Sequence, residues 1–360
     1  MPTRRDFLTT AAAAAAATSL LPVAAVALPT NDPAANEHYR PPHRFGLGGV
    51  AIGTGFAPLT ADQSDEVMRA AWAASVRYFD TSPWYGLGLS ERRMAHFLAE
   101  QNRDDYVLST KIGRLLTPTD KIPQVMWKAP SPFAYQYDYT ADGTRRSIED
   151  SLQRMGLSRI DIVFIHDLSP DHFGDKWTEQ FEIAAKGAIP ALTKLRDEGV
   201  IKGWGFGVND IEPCLRALEV ADPDLFLLAT QYSIVEHAAP LKELFPKCEE
   251  RGVSIVVGAP LNSGFLGGKE RYNYRPEVPA AIRDKAQRIA KIAAEHGTDL
   301  RTAALQFCNA PSVVSSVIPG ASSGQQVIEN ALSMATRLPD AFWKALQQQQ
   351  LIDPAAPLPS

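Results

Sequence analysis

Gly46-Leu47-Gly48-Gly49-Val50-Ala51 has the spacing G-x-G-x-x-A, and the residues that follow it decide the fold. In a doubly wound nucleotide-binding sheet this fingerprint opens directly into a helix, and an acidic residue closes the next strand. Here it runs into Ile52-Gly53-Thr54-Gly55-Phe56-Ala57-Pro58, which is glycine-rich and not helical. The fingerprint fails in its context, and the fold has to be read from the rest of the chain.

From Phe45 onward strand-like runs alternate with helical ones. The strand-like runs start near Phe45, Arg77, Val107, Ile160, Ile201, Leu225, Val253 and Ser315. Most are short and continuously apolar, such as Ile160 to Ile165, which suits parallel strands buried on both faces. Amphipathic helices are expected over Ser64 to Ser75, Ser90 to Ala99, Arg145 to Met155, Ala184 to Glu198, Pro240 to Arg251 and Ala280 to Glu295. Gly199, Gly252 and Gly297 follow three of them as C-terminal caps. Eight such units in about 300 residues fit one (β/α)8 barrel over 45–350. Two long insertions, Arg114 to Asp142 and Asn262 to Pro279, would rise from the C-terminal face, where barrel active sites lie. The first carries Trp127, Phe133, Tyr135, Tyr137 and Tyr139, which suit either a platform for stacking a sugar ring or a self-packed apolar cluster.

Composition narrows the function. The chain has 360 residues, 45% hydrophobic and 21% charged, with a net charge of −5, which excludes disorder and argues against a nucleic-acid partner. Three cysteines without short spacing, Cys214, Cys248 and Cys308, read as buried small apolar residues. At the N-terminus, Thr3-Arg4-Arg5-Asp6-Phe7-Leu8 precedes an apolar stretch containing seven alanines, Ala11 to Ala17, and ending in Ala25-Val26-Ala27. Paired arginines, an apolar middle and a small-x-small end give residues 1–27 as a cleaved twin-arginine export signal, implying the export machinery as a partner, a periplasmic location and no stable membrane insertion afterwards. Residues 28–44 are expected as a linker and 351–360 as a tail.

Polar residues collect where the strands end. The second run ends Tyr78-Phe79-Asp80 and is followed by Thr81-Ser82-Pro83-Trp84-Tyr85-Gly86. The third ends Ser109-Thr110-Lys111 and the fourth Phe164-Ile165-His166. Buried ionisable groups are costly unless paired, so Asp80, Tyr85, Lys111 and His166 in register at one barrel face point to a site. His166 and Asp167 are adjacent, but no His-x-His pair or similar spacing accompanies them, so no metal is expected.

These motifs resemble the aldo-keto reductase family over about 45–338. Leu87-Gly88-Leu89-Ser90-Glu91-Arg92-Arg93 and Asp138-Tyr139-Thr140-Ala141-Asp142-Gly143 resemble more particularly its branch of D-threo-aldose (L-fucose) and pyridoxal dehydrogenases. The resemblance implies hydride transfer between a nicotinamide cofactor and a small, sugar-like alcohol or carbonyl. Tyr85 would be the general acid/base, Lys111 would lower its pKa, Asp80 would hold Lys111, and His166 would orient the reacting oxygen. It also implies Asn209 and Gln231 at the nicotinamide carboxamide, Asn262, Ser263 and Gly264 along the cofactor, Gly320 and Ser322 at its phosphates, and Gln326, Glu329 and Asn330 toward the adenine. Trp84 and Trp127 are candidate substrate contacts. NADP-using relatives carry Lys where Gly320 stands and Arg where Gln326 stands, so NAD is expected, tightly bound if the protein is exported. Gly258 stands where many relatives place an aromatic against the nicotinamide. Two other readings remain open, an NADPH-dependent aldehyde or ketone reductase and a redox-sensing or carbohydrate-binding barrel with little turnover.

Overall fold

The apolar runs form parallel strands because each is covered on both faces, by a packed barrel interior on one side and helices on the other. The computed structural model describes residues 26–34 and 36–359. In chain order the strands are β1 (Leu47–Gly48), β2 (Tyr78–Asp80), β3 (Val107–Ile112), β4 (Arg114–Pro118), β5 (Phe133–Tyr137), β6 (Ile162–His166), β7 (Gly203–Val208), β8 (Leu225–Ala229), β9 (Ser254–Gly258) and β10 (Val314–Ile318). Eight of them make one parallel sheet in the order β1-β2-β3-β6-β7-β8-β9-β10. Parallel bridges from Phe45 to Val317 and from Gly48 to Gly320 bring β10 back beside β1 and close the barrel. Alternate residues divide the core. Ile162, Phe164, Leu225, Leu227 and Val256 pack on one another inside, while Val163, Ile165, Phe226 and Leu228 face the helices.

The glycine run that imitates a nucleotide fingerprint serves this closure. A Cβ on Gly46 would stand 2.8 Å from the Tyr78 carbonyl oxygen, and one on Gly49 would stand 2.7 Å from that of Asp80. The following residues are turns, and the first helix begins only at Ala61, behind a capping box of Thr60 and Gln63.

The helices expected over 64–75, 90–99, 145–155 and 280–295 form as Ala61–Ala73, Leu89–Leu98, Ala141–Met155 and Ala280–Glu295. The one expected over 184–198 is two, Trp177–Lys186 and Ala188–Asp197. Gly187 breaks it, where a Cβ would press on the Thr140 Cα at 2.8 Å. The one expected over 240–251 starts as a π-type turn, Pro240–Leu244, before the α-helix Phe245–Arg251, because Pro246 lacks the N–H that would continue a regular ladder. Further helices at Glu212–Val220, Leu300–Asn309, Gly324–Ala335 and Asp340–Gln348 complete the ring.

The stretch expected as a linker is the barrel's floor. Asn31 donates to the carbonyls of Pro41 and Ser315 at 2.7 Å each, and the Tyr39 ring packs on the inner core while its N–H reaches Asp224 at 2.9 Å. The expected tail also packs, burying Leu351, Ile352 and Ala356. The expected export signal lies outside the described residues except for its last two. Among the described residues no helix is long and apolar enough to cross a membrane. The three cysteines are buried and free.

Candidate active site

Asp80 ends β2 opposite Ser109 of β3, and Lys111 stands two residues further along the same face. The Asp80 carboxylate accepts from the Ser109 hydroxyl at 2.7 Å and from Lys111 Nζ at 2.9 and 2.8 Å. The third Lys111 donor goes to the Thr81 carbonyl at 2.8 Å, so the buried ammonium is fully engaged. Tyr85 arrives on the turn after β2, its ring 4.6 Å from Lys111 Nζ and 5.7 Å from the His166 ring. A Cβ at Gly53 would stand 2.7 Å from the Tyr85 carbonyl carbon, so that glycine lets the turn come in against the mouth of the barrel. His166 ends β6 and accepts on Nδ1 from Ser82 at 3.0 Å. The four expected residues therefore meet at the C-terminal ends of adjacent strands.

The two motifs particular to the branch build the wall behind this site. Glu91 accepts from Thr110 at 2.7 Å and from Arg154 at 2.6 Å, tying β3 to two helices. Ser90 donates to the Gly49 carbonyl at 2.9 Å. Tyr139 donates its hydroxyl to the His166 carbonyl at 2.8 Å.

Lys111 Nζ stands 4.6 Å from the Tyr85 ring, where its charge works against the effect of burial on the phenol. Burial pushes the phenol well above its ordinary value, Asp80, the neighbouring phenol Tyr274 and Asp167 add to the rise, and the Arg114 guanidinium opposes it. Asp80 offsets the Lys111 charge. Tyr85 therefore holds its proton at neutral pH. His166 is pushed the other way, well below the ordinary histidine value, by burial and then by the cations Arg114 and Lys111. It is a neutral imidazole.

The long insertion after β3 is an antiparallel hairpin, β4 with β5. Its aromatic side chains gather over Tyr85. Trp84 meets Tyr135 edge-on at 4.8 Å and Trp127 at 5.5 Å, and Tyr85 lies 5.8 Å from Trp127. Trp127 is buried in this cluster, whereas Trp84 and Tyr135 are half-buried and Tyr137 is exposed. Self-packing thus accounts for Trp127, while Trp84, Tyr135 and Tyr137 keep part of their surface accessible.

A long cleft starts at Asp80 and Tyr85 and runs over the ends of β8, β9 and β10 to the helix Gly324–Ala335. Of the expected cofactor residues, Ser263, Gly264, Gly320, Ser322, Gln326 and Asn330 line it. Four do not. Asn209 donates to Asp171 at 2.9 Å, and Gln231 lines a separate cleft with Glu236, His237 and Lys285. The Asn262 amide donates to Asn273 at 3.0 Å, and Glu329 is tied to Arg301 and Gln325. The cleft suits a dinucleotide. Lys269, Arg271 and Arg301 line it, and the N-terminus of the helix Gly324–Ala335, capped by Ser323, opens onto it, a combination that favours phosphate. Tyr274, absent from the sequence reading, enters the cleft from the second insertion near Gly258. A Cβ at Gly258 would already stand 3.0 Å from Leu227. Among the described residues no cluster of His, Cys, Asp and Glu is placed to hold a metal.

A closed (β/α)8 barrel with a buried acid–ammonium pair, a phenol and a neutral imidazole at the head of an anion-binding cleft defines a nicotinamide-dependent oxidoreductase class. The chain belongs to the aldo/keto reductase family, whose profile matches residues 44–350. It is 37% identical to D-threo-aldose 1-dehydrogenase of a Pseudomonas species over 319 residues, covering 86% of this chain and 94% of the relative. It is 34% identical to pyridoxal 4-dehydrogenase of Microbacterium luteolum, again covering 86% of this chain and 94% of the relative. In fold it matches an aldo-keto reductase of Bacillus halodurans at a TM-score of 0.66 and 23% identity, covering 91% of this chain and 97% of that one.

Proposed function

We propose that the chain is an NAD-linked dehydrogenase of a sugar-like hydroxyl, working through Tyr85, Lys111, Asp80 and His166. The observation that carries this is the joining of those four residues to one end of a cation-lined cleft that finishes at a helix N-terminus. The similarity to D-threo-aldose 1-dehydrogenase and the part-exposed rings of Trp84 and Tyr135 support a sugar-like substrate. Bound in the cleft, a nicotinamide would take hydride from the carbinol carbon or return it. Tyr85 moves the matching proton at its phenol oxygen. His166 donates a hydrogen bond to the reacting oxygen, and the hairpin aromatics exclude water. Lys111, held by Asp80, fixes the ring from above. The test is a nucleotide-linked absorbance assay with NAD and NADP against a panel of aldoses and small aldehydes. Turnover of aldehydes with NADPH alone would overturn the reading in favour of a reductase, and single-turnover transfer without recycling would favour a sensor.

The preference for NAD rests on charge. Gly320 and Gln326 supply no cation, and Arg301, the arginine at that end of the cleft, is paired with Glu329. A 2′-phosphate there would meet a guanidinium already neutralised by Glu329. Glu329→Gln frees Arg301 and is expected to shift the ratio of NADP to NAD affinity toward NADP by about tenfold. Titration of both nucleotides into the variant checks it, and an unchanged ratio removes Glu329 from the selection.

The N-terminal motif supports export by the twin-arginine route to the periplasm, which carries folded proteins. An exported enzyme keeps a tightly bound cofactor and resets it in place with a second substrate. Fractionating cells and analysing the nucleotide bound to the periplasmic protein tests this. Empty protein that binds NAD weakly would rule it out.

A further inference from the structure

Arg114, the first residue of β4, is buried beside His166 without touching the cleft. Its guanidinium is stacked at 4.6 Å from the Trp84 ring and 4.8 Å from that of Tyr137. One nitrogen forms an ion pair with Asp167 at 2.9 Å and donates to the Tyr137 hydroxyl at 3.2 Å. Another faces His166 Nδ1 at 3.4 Å. Asp167 itself has φ of 50°, a left-handed backbone uncommon outside glycine, at the turn beside His166.

The neighbour that decides the His166 tautomer is Arg114. A guanidinium can only donate, so the nitrogen it faces must present a lone pair. The Ser82 hydroxyl, which accepts from the Trp84 N–H at 3.0 Å, still has a proton to give to that lone pair, 3.0 Å away. At the other side of the ring Nε2 lies 3.5 Å from Asp167 Oδ1, an acceptor. The guanidinium places the single ring proton on Nε2, and the other two neighbours are compatible with that.

We propose that Arg114 is a positioning residue that keeps His166 neutral and in the Nε2–H tautomer, so that the imidazole acts as a hydrogen-bond donor and never as the acid. It acts on two fronts with the same sign. It donates toward Nδ1, where an imidazolium would carry a second proton, and it offsets the Asp167 charge that would otherwise draw that proton in. The other charged or titratable neighbours are Lys111 on β3, Tyr85 on the turn after β2, and His172, whose Nε2 is 3.2 Å from Asp167. Lys111 and His172 also oppose protonation of His166, but neither touches its Nδ1. The consequence is a division of labour, with one proton carrier, Tyr85, and one fixed donor, His166.

The inference rests on the proposed dehydrogenase site, but its test does not need turnover. Ring-nitrogen NMR of the 15N-labelled full chain is recorded from pH ~5 to ~9, with His166→Gln used for assignment. The expected parent spectrum shows the Nε2–H tautomer throughout. In Arg114→Met the His166 ring is expected to start taking up a second proton at the acid end of this range, with burial and Lys111 still opposing it, and turnover is expected to gain an acid limb of about tenfold. Arg114→Lys, which keeps a cation at Asp167, is expected to retain most of the parent spectrum. Should Arg114→Met fail to fold, Arg114→Gln, which keeps a donor and removes the charge, carries the same measurement with the same expectation. A His166 signature unchanged in these neutral variants, with any loss of turnover uniform in pH, overturns the inference. Absence of turnover in the parent protein would count against the dehydrogenase reading alone.

Discussion

Tyr85→Phe is expected to lower turnover by ~10²–10⁴-fold, the usual contribution of a positioned proton carrier, while nucleotide affinity stays within about twofold. The ring stays where it is, because its packing against Trp127 and His166 and under the Lys111 ammonium does not involve the hydroxyl. The variant therefore isolates the proton step from the fold. The pH dependence adds a second check. Burial and three nearby negative or ionisable groups hold the phenol above its ordinary ~10, so the basic form is scarce at neutral pH. Oxidation, which needs Tyr85 as a base, should speed up as pH rises through the alkaline range. Reduction, which needs it as an acid, should be flat through neutrality. Steady-state rates in both directions against pH measure this. Undiminished turnover in Tyr85→Phe, or an oxidative rate that falls with rising pH, would remove Tyr85 from the proton step.

The polar ends of the strands were legible because a buried Asp, Lys or His at the close of an apolar run is costly and therefore conspicuous. Asp80, Lys111 and His166 each had an ordinary explanation singly, and it was their register at the ends of neighbouring strands that pointed to one end of the barrel. The true function of the glycine run was not legible. That Gly46 and Gly49 face the carbonyls of Tyr78 and Asp80 depends on closure between the first strand and its neighbours, a contact with no local trace. Arg114 was hidden for a related reason. Its partners Trp84, Tyr137 and Asp167 lie 23 to 53 residues away in sequence and are assembled only by the hairpin. The floor residues 28–44 read as a linker because their anchors are side chains bonding to backbone carbonyls, as with Asn31 and Arg40, rather than an apolar period. Sequence places an ammonium near the Tyr85 phenol but not the three acceptors that hold it there.

Those three acceptors make Lys111→Met the variant with the largest expected cost in stability, about 3–5 kcal/mol at neutral pH, the range for breaking a buried ion pair from one side. Lys111 is 1% exposed and Asp80 2%, so water cannot replace the lost partner. Asp80 keeps the Ser109 hydroxyl, which is too little for a buried carboxylate, and it responds by binding a proton. Its pKa is already raised by burial against the opposition of Lys111, and removing that opposition raises it further. The sign follows from linkage. With the folded pKa above the unfolded ~3.9, the protonated acid stabilises the variant at low pH, and that stability is lost as pH rises through the raised value. Denaturant unfolding should therefore show a Lys111→Met deficit that grows from acid toward neutral pH. The double variant Asp80→Asn with Lys111→Met removes both charges and should recover much of the loss, with a coupling of about 1–3 kcal/mol in a double-mutant cycle. Deficits that simply add, and that do not change with pH, would mean that Asp80 and Lys111 are not held as an ion pair.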